Sequence, residues 1–353
     1  MMADAPLQGE AVSASAGKLN VGGMPGSWID AAWLKRLASL KLALAVFVLL
    51  GFGVITRYSS EDGSEWLLAL PLFLGGVNLG ASILTNPVFR SQAALLTFHL
   101  ALLALMLLVA AGRLTYLKGQ VELAEGESFT GRLARSDNGP WHRTQLERAQ
   151  FVNDGYTIRY EKGVRRAETR NSVRWLDDNG AEQRAVIGDN EALVRHGYRF
   201  HTSFNKGFAP VFVWYPGDGG TPRRGAVHLP SYPIHEYQQA LEWTLPGTQL
   251  KIWTMLHFDE VLLDPEHVSQ FRLPAQHTLV VRIGESRHEL APGDRLNLRQ
   301  GVLAYERLST WMGYTVSHDW TLPWLFVASL LAVASLAWHF WKKCAAQPWD
   351  RGA

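Results

Sequence analysis

Hydrophobic and polar positions along the chain fall into two regimes. Four long apolar runs stand out at 40–56, 67–85, 93–112 and 322–341, each near the ~20 residues that carry a helix across a bilayer. Gly51 and Gly53 interrupt the first run, and the second contains Pro71, the pair Gly75–Gly76 and Asn78. Spanning helices tolerate such residues better than soluble ones do. Between the third and fourth runs the pattern changes. TIRYEKGV, SVRWLDD, YRFHTSF, PVFVWYP, KIWTMLHF, TLVVRIG, SRHELAPGD and LAYERLS cluster or alternate β-branched and aromatic residues over a few positions, which reads as short strands. Turn signals separate them at 153–155, 178–180 and 216–220. HEYQQALEW (235–243) is the best short helix. The spacing predicts an antiparallel sandwich or open barrel, either as one unit or as two subdomains parted by the Pro/Gly-rich stretch 216–233.

The predicted fold class is therefore an α-helical membrane bundle of four transmembrane helices with a large β-rich extracytoplasmic domain between helices 3 and 4. The flanks set the orientation. Lys35, Arg36 and Lys41 precede the first run, Arg90 lies between the second and third, and Lys342 and Lys343 follow the fourth; basic short flanks stay cytoplasmic. Residues 1–32 then read as a flexible cytoplasmic tail with no cleavable signal. Residues 33–112 form the three-helix membrane region, 113–321 the extracytoplasmic domain, 322–343 the fourth helix and 344–353 a second cytoplasmic tail. This makes the chain a multi-pass membrane protein with both termini cytoplasmic. Trp311, Trp320 and Trp324, near the second tether, suit an interfacial aromatic belt.

Composition removes several classes of function. The net charge of +2 comes with arginines balanced by acids, which leaves no basic stripe for nucleic acid. The one cysteine is Cys344, so the β-rich region holds no disulfide and exchanges no dithiol. No phosphate loop, nucleophile elbow or dinucleotide fingerprint occurs. Ser203-Phe-Asn-Lys206 and Ser136-Asp137-Asn138 mimic acylase motifs, but their order is reversed and no K-T-G follows. Arg165, Arg166, Arg170 and Arg174 cluster, either as a solvated ion-paired face or as a dock for carboxylates, which arginine grips with a bidentate fork.

The chemistry concentrates in histidines. His99 lies within the third apolar run, where an ionisable side chain is costly and marks function or a specific partner. It is read either as a metal ligand or as a donor to Asn78 or a backbone carbonyl across the bundle. His339 lies in the fourth run near the inner headgroups, about one helical turn from the depth of His99, where snorkelling among Trp338, Trp341 and the lysines competes with a ligand role. The other ten of the twelve histidines are scattered without metal-ligand spacing; of these His318, close to the membrane, is the candidate outer contact. Gly76-Val-Asn-Leu-Gly80 forms a GxxxG packing face with Asn78 at its edge.

Taken in order, these segments resemble the ResB/CcsB family of cytochrome c biogenesis proteins. The resemblance runs over roughly 33–343 and rests on LASLKLALAVFVLL, Asn78-Leu79, His99-Leu100, GQVELAEGESF, SVRWLDDNG, GYRFHTSF and WMGYTVSHDWTLPWLF. It departs from the family at 318–320, where only Asp319 of an Asp-Pro pair is kept. The resemblance implies an accessory, non-enzymatic role in System II cytochrome assembly. Haem b would be shared with a ResC/CcsA-like membrane partner and handed to apocytochrome c. His99 would be the ligand to the haem iron, with His318 and His339 as further cofactor contacts and membrane lipids as the remaining partners. The competing reading is a structural or sensing membrane protein whose outer domain binds a protein or envelope component.

Overall fold

The computed structural model describes residues 32–60 and 63–345; most of the two predicted tails therefore lies outside the described residues. A short helix α1 (Ala32–Leu37) precedes α2 (Leu40–Ser59), α3 (Trp66–Thr85), a short α4 (Pro87–Ser91) and α5 (Ala93–Thr115), and α6 (Leu322–Ala345) closes the described chain. Helices α2, α3, α5 and α6 are long and apolar enough to cross a membrane, and their ends extend the predicted runs by at most four residues. Their outward side chains are apolar, as at Phe47, Phe52, Phe326 and Leu330, which lipid accepts and water would not. Helix α3 packs between α2 and α5, and α6 packs on α5.

Small residues let these backbones approach. A Cβ on Gly53 would sit 2.1 Å from the Leu67 carbonyl oxygen of α3, and one on Gly75 would sit 2.3 Å from Met106 Cε of α5. Gly76 and Gly80 turn toward Leu103 and Leu107 of α5. Asn78 points elsewhere: its Nδ2 donates to the Leu37 and Ser39 carbonyls at 2.5 and 3.1 Å. It thereby satisfies backbone acceptors freed where α1 breaks into α2, which hydrocarbon would leave unpaired.

The region between α5 and α6 is antiparallel β throughout. Its strands are β1 (Leu117–Ala124), β2 (Ser128–Phe129), β3 (Arg135–Asn138), β4 (Phe151–Glu161), β5 (Arg165–Leu176), β6 (Glu182–Gly188), β7 (Leu193–Arg195) and β8 (Tyr198–Pro216). They continue as β9 (Arg223–Ala226), β10 (Ala240–Thr244), β11 (Lys251–His257), β12 (Ser269–Gln270), β13 (Thr278–Ile283), β14 (Ser286–Leu290), β15 (Arg295–Leu298) and β16 (Gly301–His318). Three sheets result. One runs β3-β1-β16-β8-β7 with β15 and β9 attached, a second β10-β11-β13-β14, and a third β12-β4-β5-β6 with β2 attached.

Three expectations change here. YRFHTSF and PVFVWYP are one 19-residue strand, β8, rather than two. The polar link Asn205-Lys206-Gly207 is absorbed by a bulge opposite Gly313, where the register with β16 shifts between Met312 and Tyr314. The segment 235–243 is a set of turns followed by β10, not a helix; pairing of Leu241 with Thr254 and Trp243 with Ile252 overrides its helical propensity. Trp311 is buried at 3% exposure with Nε1 donating to the Leu229 carbonyl, well up β16 and away from the helix ends, so it takes no part in an aromatic belt.

One hydrophobic cluster runs from Leu117 to Val316 through all three sheets, so the stretch 216–233 does not divide the core. At its centre two fully buried asparagines replace apolar contacts. Asn171 Nδ2 donates to Asn153 Oδ1 and the Gly155 carbonyl, the Tyr314 hydroxyl donates to Asn171 Oδ1 at 2.8 Å, and Asn153 Nδ2 donates to the Leu123 carbonyl at 3.0 Å. This network bolts β4 and β5 to β1 and β16. Asn171→Leu orphans the Tyr314 hydroxyl and the Gly155 carbonyl, and should lower stability by about 3 kcal/mol. Urea unfolding of the detergent-solubilised chain checks this, and a change below about 0.5 kcal/mol would remove the network from the account.

Candidate functional site

The long strands β8 and β16 connect the far end of the β-rich region to the helices. Leu117 pairs with His318, the last residue of β16. Since α5 ends at Thr115 and α6 begins at Leu322, the two tethers emerge side by side and the β-rich region stands directly on α5 and α6. Backbone bonds close the seam: Trp141 N–H donates to the Leu114 carbonyl and Gly139 N–H to the Tyr116 carbonyl. A Cβ on Gly139 would lie 2.3 Å from the Leu114 carbonyl carbon, so glycine is required there.

An ion-pair network locks this seam. Glu65, at the start of α3, is buried; its Oε1 accepts from Arg57 Nε at 2.7 Å and from the Tyr116 hydroxyl at 2.8 Å. Arg113 Nη1 lies 3.9 Å from Glu65 Oε2, and Arg57 Nη2 reaches Asp137 of β3 at 3.3 Å. One carboxylate thus ties α2, α3, α5 and the first residues of the β-rich region. Around the seam sits a ring of aromatic residues. Trp66 meets Trp141 edge to face at 5.3 Å, Trp320 Nε1 donates to Thr115 Oγ1 at 2.9 Å, and Trp324 is exposed.

Beside this ring lies a cleft of about 300 Å³. Val109, Gly112, Leu322 and Leu325 form its apolar floor, and Lys118, Arg199, Ser317 and His318 its polar wall. His318 forms a cluster with two residues that sequence reasoning had not joined to it. Its ring lies 5.4 Å from that of His142 and 4.9 Å from that of Tyr198. His142 Nδ1 is 2.8 Å from the Thr115 carbonyl, and its Nε2 is 3.2 Å from the Tyr198 hydroxyl. His318 Nδ1 is buried without a hydrogen-bond partner among the described residues. Burial, and then the neighbouring His142, hold the His318 imidazole below its ordinary range, so it is neutral at pH 7. No feature of the local sequence around 142, 198 and 318 joins these residues; the β8–β16 register brings Tyr198 to His318, and hydrogen bonds to Thr115 and Tyr198 bring the loop residue His142 to both.

His99 occupies the other end of the bundle. Its ring is half-buried on α5, stacked on Phe89 of α4 at 4.2 Å and edge-on to Phe98 at 5.4 Å. Nδ1 lies 2.7 Å from the Leu95 carbonyl one turn back. A carbonyl can only accept, so Nδ1 carries the proton and Nε2 presents a lone pair. Nε2 has no hydrogen-bond partner among the described residues, and Asn78 is engaged with Leu37 and Ser39 rather than with His99. His339 is half-buried on α6 beside Phe340. From the helix ends at Thr115 and Leu322, ~1.5 Å per residue puts His99 and His339 about 24 and 26 Å down, nearly level and closer in depth than one turn. No ring contact joins the two among the described residues.

The remaining candidates are accounted for by local pairing. Arg165 pairs with Glu161, Arg166 with Asp189, Arg170 with Glu168 and Arg174 with Asp154, which is the ion-paired face. Ser203 Oγ bonds Asn205 within the bulge. Lys206 Nζ donates to the Phe204 carbonyl, with burial pushing its pKa down to about 8. No cluster of three or more metal-ligating side chains occurs among the described residues.

Residues 89–343 match the model of the ResB-like family. No curated protein matches the chain. Among solved structures, one described as Cytochrome c Heme Lyase CcmF aligns over 84% of this chain at 13% identity with a TM-score of 0.24. The alignment covers 34% of that structure, so the chain spans about a third of its length.

Two outcomes are expected at the seam. Glu65→Ala leaves two arginines facing a cavity and should cost about 3 kcal/mol, as removal of one member of a buried pair does; a shift in thermal midpoint of the solubilised chain reads it. His318 and His277 both have depressed imidazole pKa values, so the folded chain binds fewer protons than the unfolded one near pH 6. Their contribution is complete above about pH 6.5 and is lost as pH falls through the lower folded values. The thermal midpoint should therefore drop between pH 7.5 and 5.5, with a shallower drop in His318→Gln/His277→Gln.

Proposed function

This chain belongs to the ResB-like family, and on that premise we propose that it is a membrane factor of System II cytochrome c biogenesis. It holds haem b jointly with a ResC/CcsA-like partner for attachment to apocytochrome c. The observation that carries the assignment of His99 is the Nδ1 contact with the Leu95 carbonyl, which orients the ring and frees Nε2. This is the arrangement by which proteins fix the tautomer of a ligating imidazole. Bound haem b supplies the iron porphyrin; this chain supplies one imidazole, the flanking Phe89 and Phe98 rings, and an apolar surround that excludes water and tunes the iron. The ring is half-buried and stands alone among the described residues, so the partner would supply the remaining hold on the haem.

The orientation follows from charge. Lys35, Arg36, Arg90, Lys342 and Lys343 all belong to helix ends opposite the β-rich region, and short basic flanks favour the cytoplasmic side. The β-rich domain then stands outside, where apocytochrome is matured, and His99 lies toward the cytoplasmic face. The ligase chemistry belongs to the complex rather than to this chain.

Co-purification with the partner tests the assignment. The complex should carry haem with a Soret band, and His99→Ala should lower its haem content at least about fivefold, with partial recovery on adding imidazole. Full haem content in His99→Ala removes His99 as the ligand. A His339→Ala complex with unchanged haem is also expected.

A further inference from the structure

The cleft at the seam holds two cations that form no ion pair among the described residues. Lys118 of β1 pairs across to Ser317 of β16, and Ser317 pairs across to Arg199 of β8. Directly opposed residues in an antiparallel ladder share a face, so the order across three strands is lysine, serine, arginine. At the usual spacing between neighbouring strands, the two cationic residues are about 10 Å apart with the serine hydroxyl between them. Both cations are solvent-exposed, and neither forms an ion pair among the described residues. Two acids lie nearby. Asp137, opposite Lys118 on its other side, is turned to Arg57. Asp319 also lines the cleft, with Oδ1 accepting from the Thr321 N–H and hydroxyl at 2.9 and 2.6 Å; one carboxylate against two cations leaves the wall net positive. His318 is neutral at pH 7, as argued above, and Arg113 is directed to Glu65 and the Tyr58 hydroxyl.

Three features identify the ligand. The wall is cationic, so the ligand is an anion. The floor is Val109, Leu322 and Leu325, flanks of two membrane-length helices, so the anion is carried by something with an apolar body. The level is that of Trp66, Trp141, Trp320 and Trp324, the depth at which aromatic belts and lipid headgroups meet. We propose that the Lys118–Ser317–Arg199 ladder is a binding site for the phosphate of an anionic phospholipid, with the acyl chains running down the groove between α5 and α6. Two unpaired cations and a hydroxyl suit the anionic oxygens of a phosphodiester, and a juxtamembrane lysine or arginine is the ordinary means of holding an anionic lipid. The site lies at the opposite end of the bundle from His99, so this inference does not rest on the haem assignment.

The full-length chain, purified in mild detergent from membranes containing phosphatidylethanolamine, phosphatidylglycerol and cardiolipin, tests it by native mass spectrometry. The wild type should retain about one anionic phospholipid per chain and discriminate against phosphatidylethanolamine by about tenfold. Lys118→Gln/Arg199→Gln should lose that discrimination while keeping its thermal midpoint, since both side chains are exposed. Arg165→Gln/Arg170→Gln, which removes cations from the far ion-paired face, should behave as wild type. Equal retention of both lipid classes by the wild type overturns the proposal, as does equal loss in the two variants. In a second arm haemin is titrated into the lipid-loaded wild type. Stoichiometric release of lipid would assign the ladder to a porphyrin carboxylate and also overturn the proposal; unchanged lipid content supports it.

Discussion

The pairing of Leu117 with His318 is the constraint from which the rest of the structure follows. It sets the ends of α5 and α6 side by side with one residue of slack on one side and three on the other. A β-ladder begins at once above them, and there is no linker in which the β-rich region could swing. Everything functional at the seam depends on that register. Shifting β1 by one residue would turn Lys118 to the face now held by Leu117 and uncouple the ladder with Ser317 and Arg199. The same slip would move Tyr116 away from Glu65.

Burial of Glu65 is affordable only because of this geometry. A carboxylate at 6% exposure is strongly disfavoured without compensation. Here Arg57 and Tyr116 supply directed hydrogen bonds and Arg113 a further positive charge. The four groups come from three helix ends and the first turn past α5, so the pair forms only when the bundle and the β-rich region are docked. The network therefore specifies one docking geometry, in the same way that Asn78 specifies the α1–α2 break below it.

Hydrophobic pattern alone reached the four helices and the strands β4, β5, β8, β11, β13, β14 and β16, because length and alternation are local properties; β1, β6 and the remaining strands of two to five residues went unread. What it missed was long-range. YRFHTSF and PVFVWYP look like two strands because Asn205-Lys206-Gly207 resembles a turn, yet β16 offers a continuous partner and the bulge absorbs the mismatch. The helical pattern at 235–243 yields to pairing with β11 for the same reason. His99 was visible because an imidazole in an apolar run is conspicuous by itself. His142, Tyr198, Lys118 and Arg199 were not, since each is an ordinary residue in its own segment; register places the three strand residues, and hydrogen bonds to Thr115 and Tyr198 place the loop residue His142. Trp311 failed in the opposite sense: closeness in sequence to α6 suggested the membrane surface, but seven residues of extended strand span about 23 Å.

The distances constrain how cargo can be handled. His99 lies about 24 Å below the end of α5, whereas the His318 cleft sits at that end. The seam between bundle and β-rich region is held by a buried ion pair, two backbone hydrogen bonds and tethers of one to three residues. A body joined in this way does not hinge through a turn of 20 Å or more without breaking those contacts. Under the proposed function, transfer from the level of His99 to that of the β-rich region would therefore need a second surface, supplied by the partner beside this bundle. The exposed apolar flanks of α2 and α6 and the open edge of the His99 ring are where such a surface fits. Under that same proposal the chain would be the fixed half of an assembly: it would set the depth of one ligand and the height of the β-rich domain, and the moving element would be either the partner or the haem itself.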